Sequence, residues 1–315
     1  MTTSAVVDAL NAIGCDFALL NGSESALLDP SSDIDIVAAT ALPGILGALA
    51  SELGRSGIYP VMTVHYDVGR GDSVWLIGPR DDFLQLDVLS DPTGIGRLAV
   101  ATEEMLQSAM PGSDGVRRVP RESEVAYRIA KNLHRQRYDT LRELGGGDLD
   151  PSRLKQAIEG VYPGHFSTVE TAMTGGDWRS ARASLERARR LTRVRRGGWS
   201  LWALIIQRWA RRAADPVGFW IHFTGPAGAQ AVDLAWDRWG HGVAVRLKTQ
   251  LFPLRPIDRL RIAVAIRRPC LAVTWGRLSP KNALVVDVGD ECPPWGELRL
   301  EILQRASALI LKRFR

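Results

Sequence analysis

Six residues, Asp33-Ile-Asp-Ile-Val-Ala38, alternate carboxylates with β-branched side chains before the run turns wholly apolar. Along a strand, residues two apart share a face. The spacing therefore sets Asp33 and Asp35 on one side and leaves Ile34 and Ile36 to pack on the other. A helix would scatter the same four residues around its circumference. The same reading of periodicity predicts a helix over 4–13 closed by Gly14, and a strand over 17–20 broken by Asn21-Gly22-Ser23. It then predicts a helix over 42–53 closed by Gly54, and strands over 59–65, 73–77 and 83–89. Up to residue 89 this is an α/β pattern.

From Glu122 onward the pattern is helical: 122–144, 151–160, 166–174, 178–194 and 199–213, with Gly145-Gly146-Gly147 and Gly197-Gly198 read as turns. After Asp215-Pro216 the α/β pattern returns, with a strand over 218–223, a helix over 229–239, a strand over 283–288 and a closing helix over 297–312. A chain of 315 residues holds two or three units, and the pattern divides it at 1–115, 116–214 and 215–315. Charge divides it too. Residues 1–115 carry 16 Asp/Glu against Arg55, Arg70, Arg80 and Arg97, a balance of −12, which leaves +17 on the rest. Clustered aspartates in an acidic unit suggest bound metal, and a basic unit suggests phosphates, nucleic acid or an anionic membrane surface. Cys15, Cys270 and Cys292 are too few and too scattered for a disulfide framework or a zinc site. No apolar run reaches the roughly 18 residues that span a bilayer. The opening Met-Thr-Thr-Ser has no leader pattern. The expected compartment is the cytoplasm, with contact at the inner face of the membrane kept open.

The chemistry gathers around the first aspartates. Two neighbouring carboxylates repel unless a cation sits between them, and hard oxygen ligands suit Mg²⁺ or Mn²⁺. Asp87, in Phe83-Leu-Gln-Leu-Asp87-Val-Leu89, offers a third carboxylate from another strand, which would allow two ions. Gly22-Ser23 offers backbone N–H groups and a hydroxyl to phosphates. The ordered set Gly22-Ser23, Asp33-x-Asp35 and Asp87 resembles the nucleotidyltransferase superfamily that includes DNA polymerase beta, over roughly residues 5–110. The resemblance implies a mixed sheet with flanking helices. It also implies that Asp33 and Asp35 hold Mg²⁺ and the nucleotide phosphates, while Asp87 binds a second ion and activates the attacking hydroxyl. Lys131 and Arg135, with Arg128, share one predicted helix face and could meet a triphosphate. His65, on a predicted strand, is a candidate substrate contact and equally a structural residue.

Phe219-Trp-Ile-His-Phe223-Thr-Gly225-Pro-Ala-Gly228 has the strand, turn and helix order of a P-loop. Gly225 and Gly228 fit the opening of the loop found in thymidylate kinase-like proteins. Where that loop has its second glycine, its lysine and its Ser/Thr, this chain has Gln230, Ala231 and Val232. Ala283-Leu-Val-Val-Asp287 resembles a later strand of those kinases. The resemblance implies a degenerate P-loop domain over 216–315 with no kinase activity. The combination of the two domains resembles a bacterial family found in exopolysaccharide or capsule gene clusters. Asp33-Ile-Asp35, His65-Tyr66, Leu84-Gln-Leu-Asp87-Val and Val119-Pro120-Arg-Glu-Ser-Glu carry that likeness, and the missing kinase loop is its main departure.

The fold expected is thus α/β in three parts: a nucleotidyltransferase-like domain, a basic helical middle and a degenerate P-loop domain. The function expected is transfer of a nucleoside monophosphate from a nucleoside triphosphate to a hydroxyl or phosphate acceptor. A non-catalytic nucleotide- or partner-binding protein is the alternative, as is an enzyme that tailors a small molecule or modifies RNA. Between 178 and 215 lie eleven arginines against Glu186 and Asp215. There Trp199, Trp202, Ile206 and Trp209 fall near one helix face. That face is expected to pack against the last domain; an anionic membrane surface and RNA are the other partners it would suit.

Overall fold

The alternating strand at 33–38 lies near the middle of the larger of two sheets. The computed structural model describes residues 3–20, 33–65, 71–145, 148–214, 218–240, 271–276 and 283–313. The chain begins with α1 (Thr3–Ala12), β1 (Phe17–Leu19), β2 (Ile34–Ala38), α2 (Leu42–Arg55), β3 (Tyr59–His65), β4 (Gly71–Ile77) and β5 (Phe83–Leu89). Then come α3 (Thr102–Ser108), β6 (Met110–Pro111) and β7 (Arg117–Arg118). These strands form one mixed sheet in the order β3-β4-β5-β2-β1-β7-β6. β2 runs parallel to β5, and β1 is antiparallel to β2. The sheet continues past residue 115, because β7 pairs in parallel with β1 through Leu19 and Arg118.

Both faces of the sheet are covered, which the two-residue period of its strands requires. On one face Ile34, Ile36, Leu84, Leu86 and Val88 form a core with α1 and α2. α2 contributes Leu42, Ile45, Leu46, Leu49 and Leu53, the i, i+3, i+4, i+7 stripe of a half-buried helix. On the other face Ala18, Leu20, Val37 and Leu89 pack under the helices that follow. These are α4 (Arg121–Arg135), α5 (Tyr138–Arg142), α6 (Pro151–Val161), α7 (Phe166–Gly175) and α8 (Trp178–Ala214). The helical middle therefore shares its core with the sheet.

Details of these helices depart from expectation for local reasons. The helix expected over 122–144 stops at Gln136, which caps α4 in the left-handed region at φ 58°. α6 starts where Asp150 accepts hydrogen bonds from the N–H groups of Ser152 and Arg153, with Pro151 in the first turn. The break expected at Gly197-Gly198 is there: α8 is two helical stretches joined at a sharp kink, where Gly198 leaves the helical region at φ 46° and ψ −132°. The expected packing of the 199–209 face on the last domain does not hold for Trp199, Trp202 and Ile206, which are 90, 61 and 67% exposed. Leu191 and Val194, earlier on the same helix, are exposed as well. The side chain of Trp209 lies outside the described ones. No described helix is long and apolar enough to cross a membrane.

The last part has β8 (Phe219–Thr224), α9 (Gly228–Trp239), β9 (Leu271–Trp275), β10 (Leu284–Asp287) and α10 (Trp295–Arg313). β8 lies between β10 and β9, parallel to both. β9 lies where no strand was expected. The core of this part incorporates Val61, Met62, Val64 and Ile77 of the large sheet, and α10 packs against β3.

The turn after β8 is closed onto its neighbour. Ala227 N–H donates to Gly289 O and Gly228 N–H to Gly225 O, while the Thr224 hydroxyl donates to Asp287 at 2.7 Å. Gly225 adopts φ +91°, and a Cβ there would overlap the carbonyl oxygen of Val288. Gly225→Ala should cost about 2 kcal/mol in chemical denaturation. A cost near zero would show that this turn is slack.

Candidate active site

β2 and β5 are parallel neighbours in register, so Asp35 and Asp87 stand side by side on one face. They face a cavity of about 260 Å³. Its floor is Leu20, just after β1, with the strand residues Asp35, Asp72, Ser73, Asp87 and Leu89. Its wall is α4, which contributes Tyr127, Lys131, His134 and Arg135. Arg97 and Leu98 close another side, on the loop after β5.

The electrostatics follow from this crowding. Burial, and then the charge of Asp35, push the Asp87 carboxyl up to about 7. Hydrogen bonds oppose that rise. Gln85 Nε2 donates to Asp87 Oδ1 at 2.6 Å, and the Ser73 hydroxyl, from the partner position on β4, donates to the same oxygen. Lys131 Nζ reaches both oxygens of Asp35 at 3.4 and 3.5 Å and lies 5.4 Å from the Tyr127 ring centroid. Asp33 sits just before β2, at an exposed position. Burial of its carboxyl and the Asp35 charge raise it, and Lys131 pulls the other way. The His134 imidazole is pushed below its ordinary value by burial and by Arg97 and Arg189, with Glu186 opposing.

Two carboxylates on adjacent strands, with no thiolate beside them, fit a hard divalent cation such as Mg²⁺. Such an ion would offset the burial and the Asp35 charge that together hold Asp87 high. Among the described residues, no three His, Cys, Asp or Glu side chains already converge on one point. Lys131 supplies the nearest positive charge to Asp35.

The expected site residues thus divide. Asp35, Asp87, Lys131 and Arg135 line one cavity, and Asp33 is electrostatically coupled to it. Arg128, on the same helix as Lys131, pairs with Glu124 at 2.7 Å and lines a different cavity. Gly22 and Ser23 lie outside the described residues, as does Tyr66. His65 ends β3 opposite Asp72, and its side chain lies outside the described ones. Gly225 and Gly228 line none of the cavities described here; they bend the turn after β8.

Sequence reasoning missed Asp72, Ser73, Arg97, Tyr127 and His134 as site residues. Arg97 had a signal, being one of four cations in an acidic segment. Its loop had another. In Asp91-Pro-Thr-Gly94 the buried Asp91 carboxylate accepts from Ile95 N–H at 3.2 Å and from Gly96 N–H, fixing the turn that delivers Arg97. Comparison with known proteins gives no match to any family model, curated protein or solved structure.

Proposed function

We propose that the cavity is a nucleotidyl-transfer site, which joins a nucleoside monophosphate from a nucleoside triphosphate to a hydroxyl or phosphate oxygen. The observation that carries this reading is the register pairing of Asp35 with Asp87 at a cavity that also holds Lys131 and Arg135. It gives paired carboxylates for a divalent cation, cations for a triphosphate, and open space for the acceptor.

The acceptor oxygen attacks the α-phosphorus, the α–β P–O bond breaks, and pyrophosphate leaves. The proton of an attacking hydroxyl passes to Asp87. Ser73 and Gln85 occupy one Asp87 oxygen and so aim the other. Lys131 and Arg135 orient the triphosphate and offset its charge. Asp33, Asp35 and Asp87 would hold Mg²⁺ or Mn²⁺, which when bound neutralises phosphate charge and acidifies the acceptor. The last part of the chain serves as a scaffold. Two N–H groups of its Gly225–Gly228 turn are spent on backbone carbonyls, which leaves a poor phosphate cradle.

Titration calorimetry of ATP, CTP, GTP and UTP with Mg²⁺ tests the reading. One or more nucleotides should bind wild type, and binding should fall at least about tenfold in Asp33→Ala/Asp35→Ala, the loss of one strong charged contact. Binding that survives the double substitution would place the nucleotide elsewhere and overturn the proposal.

A further inference from the structure

Behind Arg97 and His134 lies a second cavity of about 190 Å³, bounded by those two residues and by Glu186, Arg189, Arg190 and Arg193. Arg97 and His134 line both cavities. The smaller one has four guanidinium groups against one carboxylate, whose Oε2 is engaged by Arg189 and whose Oε1 lies 3.7 Å from His134 Nδ1 without a hydrogen bond among the described residues. Arg189 has only 5% of its side chain exposed. Its Nη2 bonds Glu186 and approaches His134 Nδ1 at 3.4 Å, while its Nη1 is buried with no hydrogen-bond partner among the described residues. A buried guanidinium donor without an acceptor is uncommon and is relieved by an anion.

The walls are fixed in place. Arg193 Nε donates to Ile95 O at 3.1 Å, and Arg196 donates to Ala99 O and Gly160 O. These bonds tie α8 to the loop that carries Arg97. At about 190 Å³ the space has room for one small anionic group. It suits one substituent of a larger ligand whose remainder lies toward the first cavity.

We propose that this basic pocket is the acceptor subsite and receives a phosphate group carried by the acceptor. The inference rests on the nucleotidyl-transfer reading for the word acceptor, and on the pocket alone for the phosphate. Lys131 and Arg135 already stand in the carboxylate cavity for the donor's triphosphate. The second pocket gives the other substrate a separate anchor, and the shared wall of Arg97 and His134 lets one ligand span both.

The test is calorimetric titration with inorganic phosphate, in chloride buffer of low ionic strength, without nucleotide or metal. Wild type should bind phosphate. Arg189→Gln should weaken binding about tenfold, the effect of one charge-assisted contact. Because Arg189→Gln takes the ion-pair partner from the largely covered Glu186 and risks unfolding α8, Arg190→Gln is the companion. Arg190 is exposed, so its variant should keep the wild-type melting curve and bind about threefold more weakly. Absence of phosphate binding in wild type would overturn the proposal. So would binding lost in Lys131→Gln and kept in Arg190→Gln, which would put the phosphate beside Asp35. Nucleotide binding is read separately with Asp33→Ala/Asp35→Ala, so either reading can fail while the other stands.

Discussion

Asp87→Asn should abolish turnover while making the metal-free fold more stable. The amide keeps an oxygen that can accept from Ser73 and Gln85, so the local hydrogen bonds have no reason to break. What disappears is an ionised carboxylate held beside Asp35 in a largely buried place. Burial and Asp35 lift the folded value to about 7 from an ordinary 3.8. A raised carboxyl means that the folded state holds its proton where the unfolded chain has released it. Wild-type stability therefore falls as pH rises through the window from about 4 to 7, and the full cost applies above it. The variant has no such loss. Its advantage should be near zero at pH 4 and grow to the order of 2–4 kcal/mol at pH 8, at 1.36 kcal/mol per pKa unit. Urea melts of chelator-treated protein at the two pH values measure this. Activity should fall by about 10³-fold or more, since the base is gone along with a negatively charged ligand. An advantage equal at both pH values would show that Asp87 is uncharged for another reason. A variant that is less stable at pH 8 would make Asp87 a structural residue.

Part of the site is legible in the sequence. Alternation of charge with Ile and Val marks 33–38 and 83–89 as strands with an acidic residue on one face, because a two-residue period has only one geometric solution. Their adjacency is not local information. β2 and β5 are 45 or more residues apart, and their pairing is decided by which apolar faces fit together, Ile34, Ile36, Leu86 and Val88 on one side and Val37 and Leu89 on the other. The residues supplied by loops and helices were hidden for the same reason. Lys131 and Arg135 had a visible helix face, but Arg128 shared it and was drawn away by Glu124. His134 reaches the cavity as well, though its neighbours in sequence do not mark it. Gly197-Gly198 was legible as a break, because a glycine pair offers the positive φ that Gly198 adopts between the two stretches of α8. The strand at 271–275 was missed because Leu-Ala-Val-Thr-Trp, buried almost throughout, has no two-residue alternation to read.

Asp81→Ala should be among the most damaging single substitutions in the chain, although Asp81 touches no candidate substrate. Asp81 turns the hairpin between β4 and β5 at φ 62°, a conformation Asp tolerates better than most residues. Its Oδ1 accepts from Trp239 Nε1 at 2.9 Å and from Arg299 Nε at 2.7 Å, and its Oδ2 accepts from Trp295 Nε1 at 2.8 Å. Arg299 also donates to Gly78 O. The two indoles meet edge to face, with centroids 4.9 Å apart. One carboxylate thus ties the large sheet to α9 and α10 at once. Removing it leaves a guanidinium that is 13% exposed with only its bond to Gly78 O, and takes the acceptor from two indole N–H groups, at a cost of about 3–5 kcal/mol. Asp81→Asn retains acceptor capacity and should cost about 1–2 kcal/mol. Tryptophan fluorescence during urea denaturation reads both. The transition should stay single, because Val61, Met62 and Val64 still share a core with Phe219, Ile221 and Leu298. Two separated transitions would show that Asp81 alone couples the halves. The same hairpin runs from Asp81 through Phe83 and Gln85 to Asp87. The last part of the chain, whatever its ancestry, therefore braces the strand that carries the proposed base, and a scaffold role needs no nucleotide of its own.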